Sequence, residues 1–325
     1  MTATLHYLGP QGSFTHQAAT MAAELFEEPV QLTAQSDVAS IFDAVRQQGD
    51  WGVVAWENNV EGYVVPNLDA LIDAKGVAGF ARVGVSIAFD AFVRPDHGEL
   101  TVARAHPHGL AQCAAFTMSN HWLSKPAASN AAACRDIQNN EVAYGPRICG
   151  KLYGLDTLQR DVQDYDGGLT EFLVLAPREQ VKAKLGLLRD RGVDDFESIL
   201  AFIPLHTGPG VLANMLDVFR DAGLNMTSFI SRPIKGHAGT YSFIATIDAA
   251  PWENRFKTVL GRIVQQGDWA KTLAVYPRRE RPNPPVSAWM LPDGGVHMNL
   301  EEPLDAYLNE HTQAASMMDE ELLWN

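Results

Sequence analysis

The sequence predicts an α/β fold divided between two domains, and three observations carry that prediction. Short β-rich runs alternate with helical patterns from the start of the chain to about residue 177, as in layered α/β structures. The pattern lapses in a charged stretch and restarts at Glu197 in the order βαββαβ, the ferredoxin-like plan. The chain has 325 residues, 46% of them hydrophobic and 20% charged, which suits two globular cores better than one.

The first element is a strand over 3–9 (ATLHYLG), closed by a glycine turn. A helix follows, with Ser13 as its cap and Phe14, Ala18, Met21, Ala22 and Leu25 at helical spacing. GVVAW (52–56) reads as a buried strand and ENNVEGYVVPNLDAL as loop and helix. Residues 83–93 read as one strand and 101–106 as another. A helix is expected from Pro107 to about Ser124, and a further helix starts at Ser129 and Asn130. EVAYGPRICGKLYGL gives a short strand and a helix, and LTEFLVLAP (169–177) a strand. The expected boundaries are 1–178 for the first domain, 179–196 for a charged linker, 197–277 for the βαββαβ domain and 278–325 for a tail. Within the tail, LEEPLDAYLNEHTQ has the pattern of one helix.

Twenty-five basic residues against 39 acidic ones leave a net charge of −14, which argues against nucleic-acid or anionic-membrane partners. No apolar run reaches 18 residues, and MTATLHYLGP lacks the basic and apolar regions of a signal peptide, so a cytoplasmic protein is expected. The three cysteines, Cys113, Cys134 and Cys149, are expected as free thiols. No third ligand accompanies His106 and His108, so neither a metal nor another cofactor is expected.

Five motifs stand where open α/β sheets hold ligands, at strand ends and helix starts. Gly12, Ser13 and Phe14 belong to a GPQGSFT turn whose glycines allow backbone amides to approach an anion; it also reads as an ordinary capped turn. Glu57, Asn58 and Asn59 follow a buried strand, and His106 opens HPHGLAQC. Ser129, Asn130 and Ala131 form a second amide-rich helix start. In GLTEF, Thr170 and Phe172 share one strand face and Glu171 points to the other.

In order and spacing, these motifs resemble those of the prephenate dehydratase family. YLGPQGSF is similar to the family's YLGPxGTF/S, VVAWENNVEGYV to VVPIENSxEGxV, and HPHGLAQC to HpxxLxQC. SNAAA stands for STAxAA and GLTEF for NxTRF, while GPGVL and NMTSFISRP resemble the PGAL and NLTxIESRP motifs of the C-terminal ACT regulatory domain. The resemblance spans 5–277. It implies a two-lobed catalytic domain like the periplasmic binding proteins, prephenate as ligand, and a homodimer or homotetramer paired through ACT domains. Helix starts lining the groove would then receive the two carboxylates of the substrate despite the negative net charge.

The sequence departs from the pattern at several groove motifs. The family arginine after the threonine is Glu171, the preceding asparagine is Gly168, the serine of ENS is Asn59, and the threonine of STA is Asn130. A histidine of the family aligns with Asp90. A charge reversal beside Thr170 points to the branch of the superfamily that decarboxylates prephenate without aromatising it, giving dihydro-4-hydroxyphenylpyruvate. On this reading Thr170, Glu171 and Glu57 are catalytic, Asp90 and His106 are further proton-donor candidates, and Gly12, Ser13, Phe14, Asn58, Asn59, His106, Ser129, Asn130, Ala131 and Phe172 bind substrate. A dehydratase and a non-catalytic prephenate or amino-acid sensor are the alternatives. In the regulatory domain, Val211, Leu212, Asn225, Met226 and Ile230 match effector-site positions, and Ile230 replaces a family glutamate. Weak or lost feedback by an amino-acid effector is therefore expected.

Overall fold

The computed structural model describes residues 3–206, 208–279, 285–297 and 320–323. It divides into two units, 1–279 and 280–325. The second unit contains a short 3-10 turn at Ala288–Met290. The helix expected over 300–313 lies outside the described residues.

The first unit is mixed α/β. Its first lobe runs β1 (Thr4–Leu8), α1 (Phe14–Ala23), β2 (Gln31–Gln35), α2 (Val38–Gln48), β3 (Trp51–Asn58), β4 (Gly62–Tyr63), α3 (Val65–Asp73) and β5 (Val77–Ser86). The chain then enters a second lobe: β6 (Asp90–Val93), β7 (Val102–Ala105), α4 (Pro107–Gln112), α5 (Ala114–Ser119), β8 (Leu123–Pro126), α6 (Asn130–Arg135), β9 (Glu141–Gly145), α7 (Ile148–Tyr153) and β10 (Asp156–Gln159). It returns to the first sheet as β11 (Leu169–Pro177) and continues through α8 (Arg178–Asp190) into β12 (Phe196–Ile203), α9 (Val211–Asp221), β13 (Met226–Pro233), β14 (Tyr241–Ile247), α10 (Asn254–Gln265) and β15 (Trp269–Pro277).

The second lobe is a five-stranded sheet in the order β10-β6-β9-β7-β8. All other strands share one sheet, β13-β14-β12-β15-β5-β11-β3-β1-β2, with β4 beside β3. The four C-terminal strands pair antiparallel in the ferredoxin-like order. They join the first lobe through one parallel register, Ala274 beside Gly79. A Cβ on Gly79 would lie 2.8 Å from that of Ala274, so the junction depends on a residue with no side chain there.

The two faces of the large sheet bury different cores. Leu5, Val53, Val83, Phe172 and Val174 face α1, while Val54, Trp56, Leu173 and Leu175 face α2 and α3, meet Leu68 of α3 and continue into Ile199, Ile244 and Tyr276. Successive residues of β11 thus alternate between the two cores, as period-2 geometry requires.

Three sequence expectations are corrected. Most of the supposed linker is α8, which buries Val181 and Leu185 behind a charged exterior. Residues 83–93 are not one strand: 87–89 carry the chain from β5 in one sheet to β6 in the other. The helix expected from Pro107 to Ser124 is interrupted at Cys113 and ends at Ser119, and β8 begins at Leu123.

Candidate active site

Four helices begin just past the carboxyl ends of parallel strands: α1 after β1, α4 after β7, α6 after β8 and α7 after β9. First-turn amides lack intrahelical acceptors, so these starts offer donors to an anion. The hydroxyls of Ser13 and Ser129 act as caps, accepting from the amides of His16 at 3.1 Å and Ala132 at 3.0 Å. Contact from either serine to a ligand therefore falls to the neighbouring backbone.

The contacts around the interlobe groove form a ring. Asn130 Oδ1 accepts from the amide of His106 at 2.9 Å, tying α6 to the start of α4. A Cβ on Gly109 would lie 2.4 Å from that oxygen, so only glycine fits this turn. Across the groove, Glu61 pairs with His108 at 2.9 Å and accepts from Gln112 at 3.0 Å. Asn58 Nδ2 donates to Thr170 Oγ1 at 2.9 Å, while its carbonyl oxygen receives the amides of Val60 and Glu61. Asn59 accepts from the Leu169 amide at 2.7 Å and donates to the Gly167 carbonyl at 2.9 Å, shaping the approach to Thr170. At the other end, Tyr153 donates to the Gln11 carbonyl at 2.5 Å, and Cys149 Sγ to that of Gly12 at 3.4 Å.

These bonds bring Asn58, Asn59, Thr170, His106, Ser129, Asn130 and the Gly12–Phe14 turn to one groove, whereas Ala131, also expected there, is 0% exposed and packs in the core of the second lobe with Phe92 and Cys134. The Gly12 amide itself donates to His16 Nδ1 at 3.2 Å, so the donors of that turn begin at Phe14. Burial lowers the pKa of His16 and, as the largest cause, that of His106, which favours the neutral form of both imidazoles.

Phe172, Glu171 and Glu57, expected in the groove, lie elsewhere. Phe172 is 2% exposed and packs in the core against α1. Glu171 extends from the opposite face of β11 from Thr170, as strand alternation dictates, and its Oε2 lies 3.1 Å from Arg82 Nε. Arg82 also approaches Glu197 at 3.5 Å and rests 5.5 Å from the ring centre of Tyr276, so Glu171 belongs to the junction with the C-terminal strands. Glu57 joins the same cluster: burial raises its pKa, Arg82 opposes the rise, and Glu171 and Glu197 add to it. Asp90 is 1% exposed and accepts from Arg147 and from the Asp161 amide, both at 3.1 Å, which fixes it as a structural ion pair where the chain enters the second lobe.

One expected result follows for Glu57. Its folded pKa is raised, so ionisation is penalised in the native state; the penalty is absent below the unfolded value of about 4.3 and grows as pH rises through the folded one. Glu57→Gln is expected to raise the melting temperature at neutral pH, with the gain vanishing in acid. Equal melting temperatures at neutral pH would contradict this.

The five effector-type positions do not all meet. Leu212 and Met226 pack on the helix-side core of the C-terminal strands, and Asn225 and Met226 line a concavity of about 450 Å³. Val211 is the first residue of α9, whereas Ile230 packs on the core shared with the first lobe. Sequence reasoning also missed Arg82, His16 and Tyr153. His16 was within reach, because it stands three residues after the Ser13 cap, where a cap hydroxyl finds its amide.

Among the described residues no cluster of metal-ligating side chains occurs and no helix is long and apolar enough to cross a membrane. All three cysteines are free and buried; burial raises the thiol pKa of Cys113, and a hydrogen bond with Cys149 heads the causes that raise that of Cys134. Neither Cys113 nor Cys134 has the lowered pKa of an activated nucleophile.

Two α/β lobes whose helix starts and strand ends surround a shared groove define a ligand-binding α/β protein of the two-lobed class. The sequence profile of prephenate dehydratase matches residues 5–180, and the chain belongs to that family. It is 30% identical over 285 residues to the bifunctional chorismate mutase/prephenate dehydratase of Aquifex aeolicus, covering 84% of this chain and 73% of that one. It is also similar in fold to the prephenate dehydratase of Arthrobacter aurescens in complex with L-Phe, at a TM-score of 0.68 and 24% identity over 85% of this chain and 90% of that one. GqqA, described as a novel type of quorum quenching acylase, has the same fold at a TM-score of 0.70 and 19% identity, covering 85% of this chain and 98% of that one.

Proposed function

We propose that the chain is a lyase that binds prephenate in the interlobe groove and converts it to phenylpyruvate, CO2 and water. The observation that carries this reading is the bond from Asn58 Nδ2 to Thr170 Oγ1 at 2.9 Å. It occupies the hydroxyl oxygen as an acceptor and leaves the O–H to donate to the departing 4-hydroxyl. The C–CO2 bond breaks, its electron pair enters the ring, and the hydroxyl leaves as water with one added proton. First-turn amides of α1 and α6 hold the two carboxylates. No cofactor enters the sequence of steps.

The non-aromatising decarboxylase is the second reading, and Glu171 favours it together with Gly168, Asn59 and Asn130. In that reaction CO2 is lost and a proton is added to a ring carbon, with the hydroxyl retained. Its main support was a negative charge beside Thr170. Because Glu171 extends from the far face of β11 and pairs there with Arg82, it does not face the groove, and the dehydratase becomes the stronger reading. Incubation with prephenate, followed by ultraviolet absorbance and mass, separates them. Phenylpyruvate supports the first; a non-aromatic product that keeps the hydroxyl establishes the second; binding without turnover favours a sensor.

We read 197–277 as an ACT regulatory domain that pairs into a homodimer or homotetramer in the cytoplasm. L-Phe in the Arthrobacter protein points to an amino-acid effector, and Ile230, set in an apolar core, argues for a weakened response here.

A further inference from the structure

A second concavity, of about 440 Å³, lies at the other end of β3 from the groove. Trp51 and Asn58 are the first and last residues of that strand, so the two sites are about 20 Å apart by strand rise. Its floor is aromatic. Phe26, Trp51 and Phe80 meet edge to face with centroids 3.9, 5.3 and 6.3 Å apart, and the partly exposed Leu25 and Leu187 add apolar walls.

Its charges differ from those of the whole protein. Arg82, Lys184, Arg191 and Arg279 line it against Glu27 and Glu28, a balance of four to two in a chain of net charge −14. Arg82 is engaged by Glu171 and Glu197, and Arg191 by Glu27. Lys184 is placed differently: its Nζ rests 4.7 Å from the Trp51 ring centre and 5.1 Å from that of Phe26, and among the described residues no ion pair holds it. An ammonium held over rings keeps its N–H donors for another acceptor. The size, the apolar floor and the placed cation are those of a small-molecule pocket.

We propose that this cavity binds a small carboxylic acid with an aromatic body, its ring on Phe26, Trp51 and Phe80 and its carboxylate at Lys184. The site is separate from the interlobe groove and from the concavity at Asn225 and Met226, and it stands whichever reaction the groove performs.

Titration calorimetry on the full chain tests it with phenylacetate, and with benzyl alcohol and acetate as probes lacking the charge or the ring. Phenylacetate is expected to bind measurably and the other two much more weakly. Lys184→Met keeps the stem and removes the charge, and is expected to weaken phenylacetate about tenfold. Leu187→Trp fills the mouth from a position 54% exposed, so folding is preserved and binding is expected to be lost. Asn58→Ala, in the groove, is expected to leave the affinity unchanged. Absence of binding to the wild-type chain, an unchanged affinity in Lys184→Met, or a loss that follows Asn58→Ala would each overturn the proposal.

Discussion

Thr170→Ala is expected to lower kcat on prephenate by about 10²–10³-fold with little change in KM, and Thr170→Ser to retain most of the rate. The hydroxyl is 8% exposed at the residue level and is oriented by Asn58, so its O–H meets the leaving group without reorganisation. A donor that acts on charge developing during C–O cleavage affects the transition state more than the bound substrate. Serine keeps the donor and loses only the methyl group. Asn58→Ala is expected to give a smaller loss, because the hydroxyl remains but is free to turn. Initial rates of phenylpyruvate formation decide the matter, and an undiminished kcat in Thr170→Ala would remove the mechanism.

The largest expected effect on stability is at Arg82. This guanidinium faces Glu171 at 3.1 Å and Glu197 at 3.5 Å and is the cation that opposes the raised pKa of Glu57. Arg82→Met leaves three carboxylates crowded without their cation and is expected to cost about 3 kcal/mol at neutral pH, the lower end for breaking a buried pair because Arg82 is 22% exposed. The cost shrinks as pH falls and the carboxylates take up protons. Adding Glu171→Met to Arg82→Met is expected to recover part of the loss, since removing both partners leaves fewer uncompensated charges. Urea unfolding at about pH 7 and about pH 4 measures both effects. A double variant less stable than Arg82→Met alone would show that the cluster is not held by charge.

The groove was legible in the sequence because its parts are local. Ser13 and Ser129 cap helices through amides three residues away, and ENN and HPHG sit directly at strand ends. The opposite facing of Thr170 and Glu171 was legible too, from strand alternation alone. The partner of Glu171 was not: Arg82 lies on β5, and its approach depends on the antiparallel register that sets Glu171 beside Gly84 and Leu173 beside Arg82. Sequence adjacency alone sets this reversed charge next to a catalytic-type threonine, whereas the fold sets its guanidinium partner on the neighbouring strand, away from the groove. The other misreadings have similar causes. In α8, charged residues masked the helical spacing of Val181 and Leu185. In 83–93, burial on both sheets erased the alternation that marks where one strand ends.

The contact of Gly79 with Ala274 carries a mechanical consequence. Because the C-terminal strands and the first lobe share one hydrogen-bonded sheet, they form a single plate, while the second lobe hangs from it by two spans, 87–89 and 160–168. Opening and closing of the groove is then a swing of the second lobe against that plate. A signal arriving at β15 can then reach Thr170 as a change in the twist of β5 and β11, the strands that lie between them in the sheet. Widening residue 79 by one methyl group would press on Ala274 and strain the plate at its seam, far along β5 from the groove.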